Sequence, residues 1–231
     1  MKLSHRREMA QGKRELRRDL AQKNAGEVLG PITHGMEVFA LTGGAFSLVD
    51  ALQHVLDTTG PARVDLSSWT AATADLGFAA VLLREKRITR LRFLMDFSFP
   101  ARQPAYCAAL VQTFGEGSVR LTKCHLKFIA VRNADWNIAV RTSMNLNENK
   151  RLESLEVSDD AGLAQFLEGL MDEFFARPAG DTKKKPGQIM AEFAEFAGQA
   201  VDTKSTDAAK LMSDGAFGND VRRAGISYMK G

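Results

Sequence analysis

From residue 36 onward, short apolar runs with strand periodicity alternate with longer runs of helical spacing. Met36-Glu37-Val38-Phe39-Ala40-Leu41 reads as a strand. Thr42-Gly43-Gly44 reads as a turn, and a helix follows over 46–56 with Ser47 as its cap. The pattern predicts strands at 64–67, 91–96 and 119–121, with helices over 70–85 and 101–114 between them. A longer extended stretch runs over 123–131. It turns back through Arg132-Asn133-Ala134-Asp135, continues as a strand over 138–145 and is followed by Leu155-Glu156-Val157. A helix over 161–176 closes the unit before Pro178. Strands alternating with helices predict an α/β fold: a mixed, largely parallel sheet with helices on both faces and binding groups at the strand ends.

The flanks differ from this middle part. Met9, Leu16 and Leu20 make a narrow apolar stripe, which predicts a basic helical arm over 1–30 that ends near Asn24-Ala25-Gly26. Thr182-Lys183-Lys184-Lys185-Pro186-Gly187 reads as a linker, and Ile189, Phe193, Phe196 and Ala200 form one stripe of a further helix. The expected division is therefore an arm at 1–30, a main domain at 31–178, and a linker, amphipathic helix and tail at 179–231.

Composition adds limits. The chain has 231 residues, 45% hydrophobic and 26% charged, which is ordinary for one soluble globular core with an appendage. No apolar run is long enough to span a membrane, and the first residues lack the apolar core of a signal peptide. Cys107 and Cys124 are the only thiols and have no metal-ligand spacing, so a reducing, cytoplasmic setting is expected, with no metal and no cofactor. The net charge is only +3, but Lys2, Arg6, Arg7, Lys13, Arg14, Arg17, Arg18 and Lys23 crowd the first two dozen residues. Such a segment attracts polyanions by releasing their counterions. Arg6, Arg7, Lys13, Arg14, Arg17 and Arg18 are thus candidate nucleic-acid contacts, with a solvated helical face as the plainer alternative.

The chemistry-bearing residues cluster between 125 and 156. At strand spacing His125 and Lys127 share a face, as do Ser143 and Asn145 further on, and Glu156 follows. An H-x-K pair alone is a weak signal, and a lone His125 reads as a buried, hydrogen-bonded core histidine. Joined by S-x-N and an acidic residue, the set resembles the phospholipase D-like superfamily, whose motif is H-x-K, four residues, Asp, then G-S-x-N, with a Glu about a dozen residues later in its nuclease branch. Thr142-Ser143-Met144-Asn145 stands for G-S-x-N, and Glu156 for the acidic residue. One position departs: the family Asp falls at Arg132. Arg132 either faces the cleft as an additional cation or, as a hairpin end favours, points into solvent.

The resemblance implies a phosphodiesterase, most simply a nuclease acting on DNA rather than RNA, without a metal. Lys127, Ser143 and Asn145 would hold the phosphate, His125 would attack phosphorus, and Glu156 would orient an imidazole. Only one H-x-K is present, so the second imidazole must come from a second copy in a homodimer. The other class is a nucleic-acid-binding or assembly protein that keeps the pocket but has lost turnover, which Arg132 would signal. A lipid hydrolase is disfavoured by the lack of an apolar entry segment. Thr42-Gly43-Gly44-Ala45 lacks the lysine of a phosphate-binding loop and reads as an ordinary turn. Cys124 should point away from His125, and Trp69 and Trp136 read as packing before base stacking.

Overall fold

Most of the periodic runs form the elements their spacing implies. The computed structural model describes residues 14–19, 24–147 and 150–198. In chain order these form β1 (Arg14–Asp19), α1 (Ala25–Leu29), β2 (Glu37–Thr42), α2 (Leu48–Thr59), β3 (Ala62–Ser68), α3 (Thr73–Arg84) and β4 (Ile88–Asp96). Then come α4 (Phe99–Arg102), α5 (Pro104–Phe114), β5 (Val119–Thr122), β6 (Phe128–Arg132), β7 (Asn137–Thr142), β8 (Glu153–Asp159) and α6 (Ala161–Phe175). The helix expected over 101–114 is divided in two, because Pro104 keeps Gln103 out of the helical region, at φ −140° and ψ 63°.

All eight strands join one sheet in the order β1-β2-β8-β7-β6-β3-β4-β5. The α/β class stands, but the sheet is less parallel than expected. Four of its seven pairings are antiparallel: β2–β8, β8–β7, β7–β6 and β6–β3. Parallel neighbours need a long crossover, whereas β6 and β7 are joined by the tight turn 133–136.

The N-terminal expectation is corrected. Residues 14–19, read as helical, form an edge strand parallel to β2. Charge holds it there: Arg14 reaches Glu37 at 3.1 Å and Glu156 at 3.3 Å, while Arg17 pairs with Glu15 and donates to the Val28 carbonyl at 3.2 Å. Leu16 stays 75% exposed, so apolar burial alone would not have seated this strand. Asn24 begins a helix instead of ending one. Its side chain accepts from the Glu27 N–H and Glu27 accepts from the Asn24 N–H, a capping box. Arg6, Arg7 and Lys13 lie outside the described residues.

The two sheet faces differ in kind. One is apolar and buried, with Val38, Ala40, Leu66, Phe93, Ile129 and Val157, and α1, α2, α3 and α5 pack side by side over it. The other carries charge under α6. Arg63 lies in register with both Arg90 and Arg132, setting three like charges abreast on adjacent strands. Glu168 of α6 receives all three, at 3.3 Å from Arg63, 3.1 Å from Arg90, and in a short contact from Arg132. Beside them Arg92 grips Asp65 with two hydrogen bonds of 2.6 and 2.7 Å and reaches Asp172 at 2.6 Å. Arg132 therefore faces neither the cleft nor solvent: it is half-buried against α6 and also donates to Asn137 at 3.0 Å.

A second unit begins at Lys185 and is described to residue 198. It holds α7 (Pro186–Phe196), whose proline sits in the first turn, where no backbone donor is missed. Among the described residues no helix is long and apolar enough to cross a membrane.

The Arg92–Asp65 pair yields a stability test. Asp65→Ala leaves a buried guanidinium without its bidentate partner and should lower the unfolding free energy by about 3–5 kcal/mol in a urea titration. Asp65→Leu combined with Arg92→Met should recover most of it. A single-mutant loss below about 1 kcal/mol would mean the pair behaves as a solvent-exposed one.

Candidate active site

The antiparallel returns gather six chain segments at one end of the sheet. There β2, β3 and β7 end at Thr42, Ser68 and Thr142, while β6 and β8 begin at Phe128 and Glu153; β4 ends there too, at Asp96. His125 and Lys127 lie just outside β6, in an extended segment shorter of strand than expected. Two backbone anchors fix that segment. The Leu126 carbonyl accepts from Ser67 Oγ at 3.1 Å, and the Lys127 carbonyl accepts from the Thr142 N–H at 3.3 Å. The two side chains meet as their spacing predicts: Lys127 Nζ is 3.2 Å from His125 Nδ1 and 3.3 Å from Nε2. His125 is exposed and Lys127 half-buried. Burial draws the Lys127 ammonium below its usual pKa, with the charge of Glu153 among the influences opposing it.

Asn145 is held from β3. Its Oδ1 accepts from the Trp69 N–H at 3.3 Å and lies 3.5 Å from Ser68 Oγ. An N–H donor at Oδ1 settles which way the amide is turned and leaves Nδ2 as the donor end. Ser143 is differently occupied. Its hydroxyl donates to Glu153 and accepts from the Ser154 N–H at 2.9 Å. Glu153 is buried and is the carboxylate that acts on Lys127. Glu156 lies one row further into the sheet, opposite Arg141 and Phe39. Its oxygens are taken by Arg141 and Arg14, and it makes no hydrogen bond to His125 within one chain.

The structure thus brings together His125, Lys127 and, through Trp69, Asn145, with Ser143 linked by way of Glu153. Glu156 and the basic residues of β1 stand apart. Several contributors carry no sequence signal of their own. Ser67 and Ser68 look like ordinary strand residues, yet both are fully buried and both tie the site together. Trp69 borders His125, ring centroids 6.1 Å apart, and lies under the Arg102 guanidinium. Glu153 was hidden by spacing: it sits eight residues after Asn145, short of the dozen expected. The His34 ring stacks on Trp136 at 3.8 Å, so that tryptophan is occupied by an intramolecular contact. Among the described residues no three His, Cys, Asp or Glu side chains are grouped to hold a metal ion.

No family model matches the chain, and no curated protein matches it. Solved structures do. Nuc from Salmonella typhimurium, a phospholipase D family member, aligns at TM-score 0.45 and 19% identity over 64% of this chain and 99% of its own. NucT from Helicobacter pylori aligns at 0.43 and 14%, over 62% and 99%. Phosphatidylserine synthase from Haemophilus influenzae Rd KW20 aligns at 0.43 and 15% identity, over 77% of this chain and 46% of its own.

Cys124 adjoins His125 in the chain and is the one thiol near the site among the described residues. Its thiol lies 3.9 Å from Ser67 Oγ, and burial pushes its pKa up to about 11. It should stay protonated at neutral pH and resist alkylation by iodoacetamide until the pH nears that value or the protein unfolds. Rapid labelling of native Cys124 at pH 7, read by peptide mass spectrometry, would contradict this.

Proposed function

We propose that the chain is a metal-independent phosphodiesterase, a nuclease that works through a phosphohistidine at a homodimer interface. One observation carries the reading: Lys127 Nζ lies within 3.3 Å of both His125 ring nitrogens at the strand end where the Trp69 N–H holds Asn145 Oδ1 and leaves Nδ2 as the donor. A phosphodiester needs a nucleophile with donors for its non-bridging oxygens, and these are the groups present. A His125 nitrogen attacks phosphorus and the bond to the leaving oxygen breaks. A second imidazole gives that oxygen its proton. Water then attacks phosphorus, the second imidazole takes the water proton, and His125 is released. The chemistry needs two imidazoles, and the chain has one H-x-K, so the second is assigned to His125 of another copy.

The remaining roles follow from occupancy. Lys127 and Asn145 Nδ2 serve the phosphate oxygens. Ser143, whose hydrogen is given to Glu153, serves by fixing that carboxylate beside Lys127. Glu156 is held by Arg141 and Arg14 and so ties β1 and β7 to β8, and the imidazole-orienting role expected of it is not assigned. Nucleic acid, DNA before RNA, is the proposed substrate, with Arg6, Arg7, Lys13 and Arg18 supplying non-specific attraction and Arg14 and Arg17 seating β1. Arg132 places no cation in the cleft, because its charge is matched by Glu168 under α6.

The test is incubation of the purified full chain with labelled single- and double-stranded DNA and RNA in excess chelator, beside His125→Ala and Lys127→Ala. Cleavage should persist in chelator and fall about 100- to 10,000-fold in His125→Ala, and light scattering should give a dimer. Cleavage that needs added divalent metal, or that survives His125→Ala, would overturn the reading.

A further inference from the structure

Trp69 follows the last residue of β3, and its ring borders two groups of different kinds. The Arg102 guanidinium lies 3.5 Å from the indole centroid, and the His125 imidazole lies 6.1 Å from it, tilted by 58°. Arg102 and His125 thus share Trp69 as a neighbour. Two hydrogen bonds set its orientation: Nε donates to Ser98 Oγ at 2.8 Å and Nη2 donates to the Trp69 carbonyl at 2.9 Å. Nη1 has no hydrogen-bond partner among the described residues.

The electrostatics set Arg102 apart from the arginines under α6. Arg90, Arg92 and Arg132 each have a carboxylate partner. Arg102 makes no ion pair among the described residues. The carboxylate that acts on it, Asp96, is bound to the Ser98 N–H at 3.0 Å and to the Ser98 hydroxyl, so it meets Arg102 only through that serine. Burial draws the Arg102 pKa below its usual value, with Asp96 opposing. A half-buried guanidinium braced on an indole, with a free Nη1, is a fork suited to a phosphate oxygen.

We propose that Arg102 binds the phosphate next to the scissile one, so that the cleft takes a polynucleotide strand and not a diester with a single phosphate. This rests on the phosphodiesterase reading of His125 and Lys127. A strand offers phosphates at regular intervals, and Trp69 has Arg102 as one neighbour and, as the other, His125, which carries Lys127 against its ring. A phospholipid offers one phosphodiester beside its acyl chains and leaves Arg102 unmatched. Trp69 is the positioning residue: its ring and carbonyl hold the guanidinium, and its N–H holds Asn145.

The experiment separates binding from turnover. Full-length protein carrying His125→Ala and Trp136→Phe cannot use its proposed nucleophile and keeps Trp69 as the sole tryptophan. Binding of a single-stranded thymidine oligonucleotide is followed by Trp69 fluorescence over a series of salt concentrations. Adding Arg102→Gln should reduce the slope of log K against log salt by about 0.7, the loss of one phosphate contact on a single strand, and Arg102→Lys should restore most of it. Without any change at Arg102, one of the dinucleotides pTpT and TpTp should bind about tenfold tighter than TpT, equivalent to about 1.4 kcal/mol, and that gain should vanish in Arg102→Gln. An unchanged slope in folded Arg102→Gln, or equal binding of all three dinucleotides, would overturn the proposal. Absence of cleavage by the wild-type chain would count against the phosphodiesterase reading and leave this binding result standing.

Discussion

Two buried hydroxyls at the end of β3 are the constraint on which the site depends. Ser67 and Ser68 are both fully buried, and a hydroxyl cut off from water must find its partners inside the protein. Ser67 Oγ lies within 3.0 Å of the Leu94 carbonyl and 3.1 Å of the Leu126 carbonyl, so the residue between His125 and Lys127 is tied to the core of the sheet. Ser68 Oγ donates to the Thr70 carbonyl at 2.6 Å and accepts from the Leu146 N–H at 3.2 Å, next to Asn145. One dipeptide thus places the H-x-K segment and the Asn145 loop, which are far apart in the chain. Leaving either hydroxyl's partners unpaired costs about 1–3 kcal/mol, and register at the strand end is the form in which that cost is avoided.

The charged face does for the sheet what the serines do for the site. Three arginines abreast on adjacent strands repel, and the pairing holds because α6 lowers Glu168 among them. Arg132 is therefore part of a scaffold in this chain. Function and scaffold are separated along β6. Its start lies next to His125 and Lys127, and its far end at Arg132 is locked beneath a helix.

Much of this was legible in sequence. Strand periodicity put His125 and Lys127 side by side, and their Nζ-to-ring distances agree. Alternation located β2 to β5 within a few residues, since each has a buried apolar face. β1 was misread because its pattern offers little apolar signal: Leu16 is exposed, and the strand is seated by Arg14 with Glu37 and Glu156, contacts between residues distant in the chain. Pairing direction was out of reach for the same reason, since periodicity names a strand and not its neighbour. Trp69, Arg102 and Glu153 acquire meaning only when β3, α4 and β8 converge, and no spacing rule links them to His125.

The central claim is that His125 becomes covalently bound to phosphorus, and trapping that intermediate tests it most directly. Wild-type chain mixed with an oligonucleotide in chelator, quenched at alkaline pH within the first turnover and digested for mass spectrometry, should carry a nucleotidyl or phosphoryl adduct on the peptide containing His125, at the imidazole. Cleavage that proceeds with that peptide unmodified at every time point, or with the adduct on another residue, would contradict it.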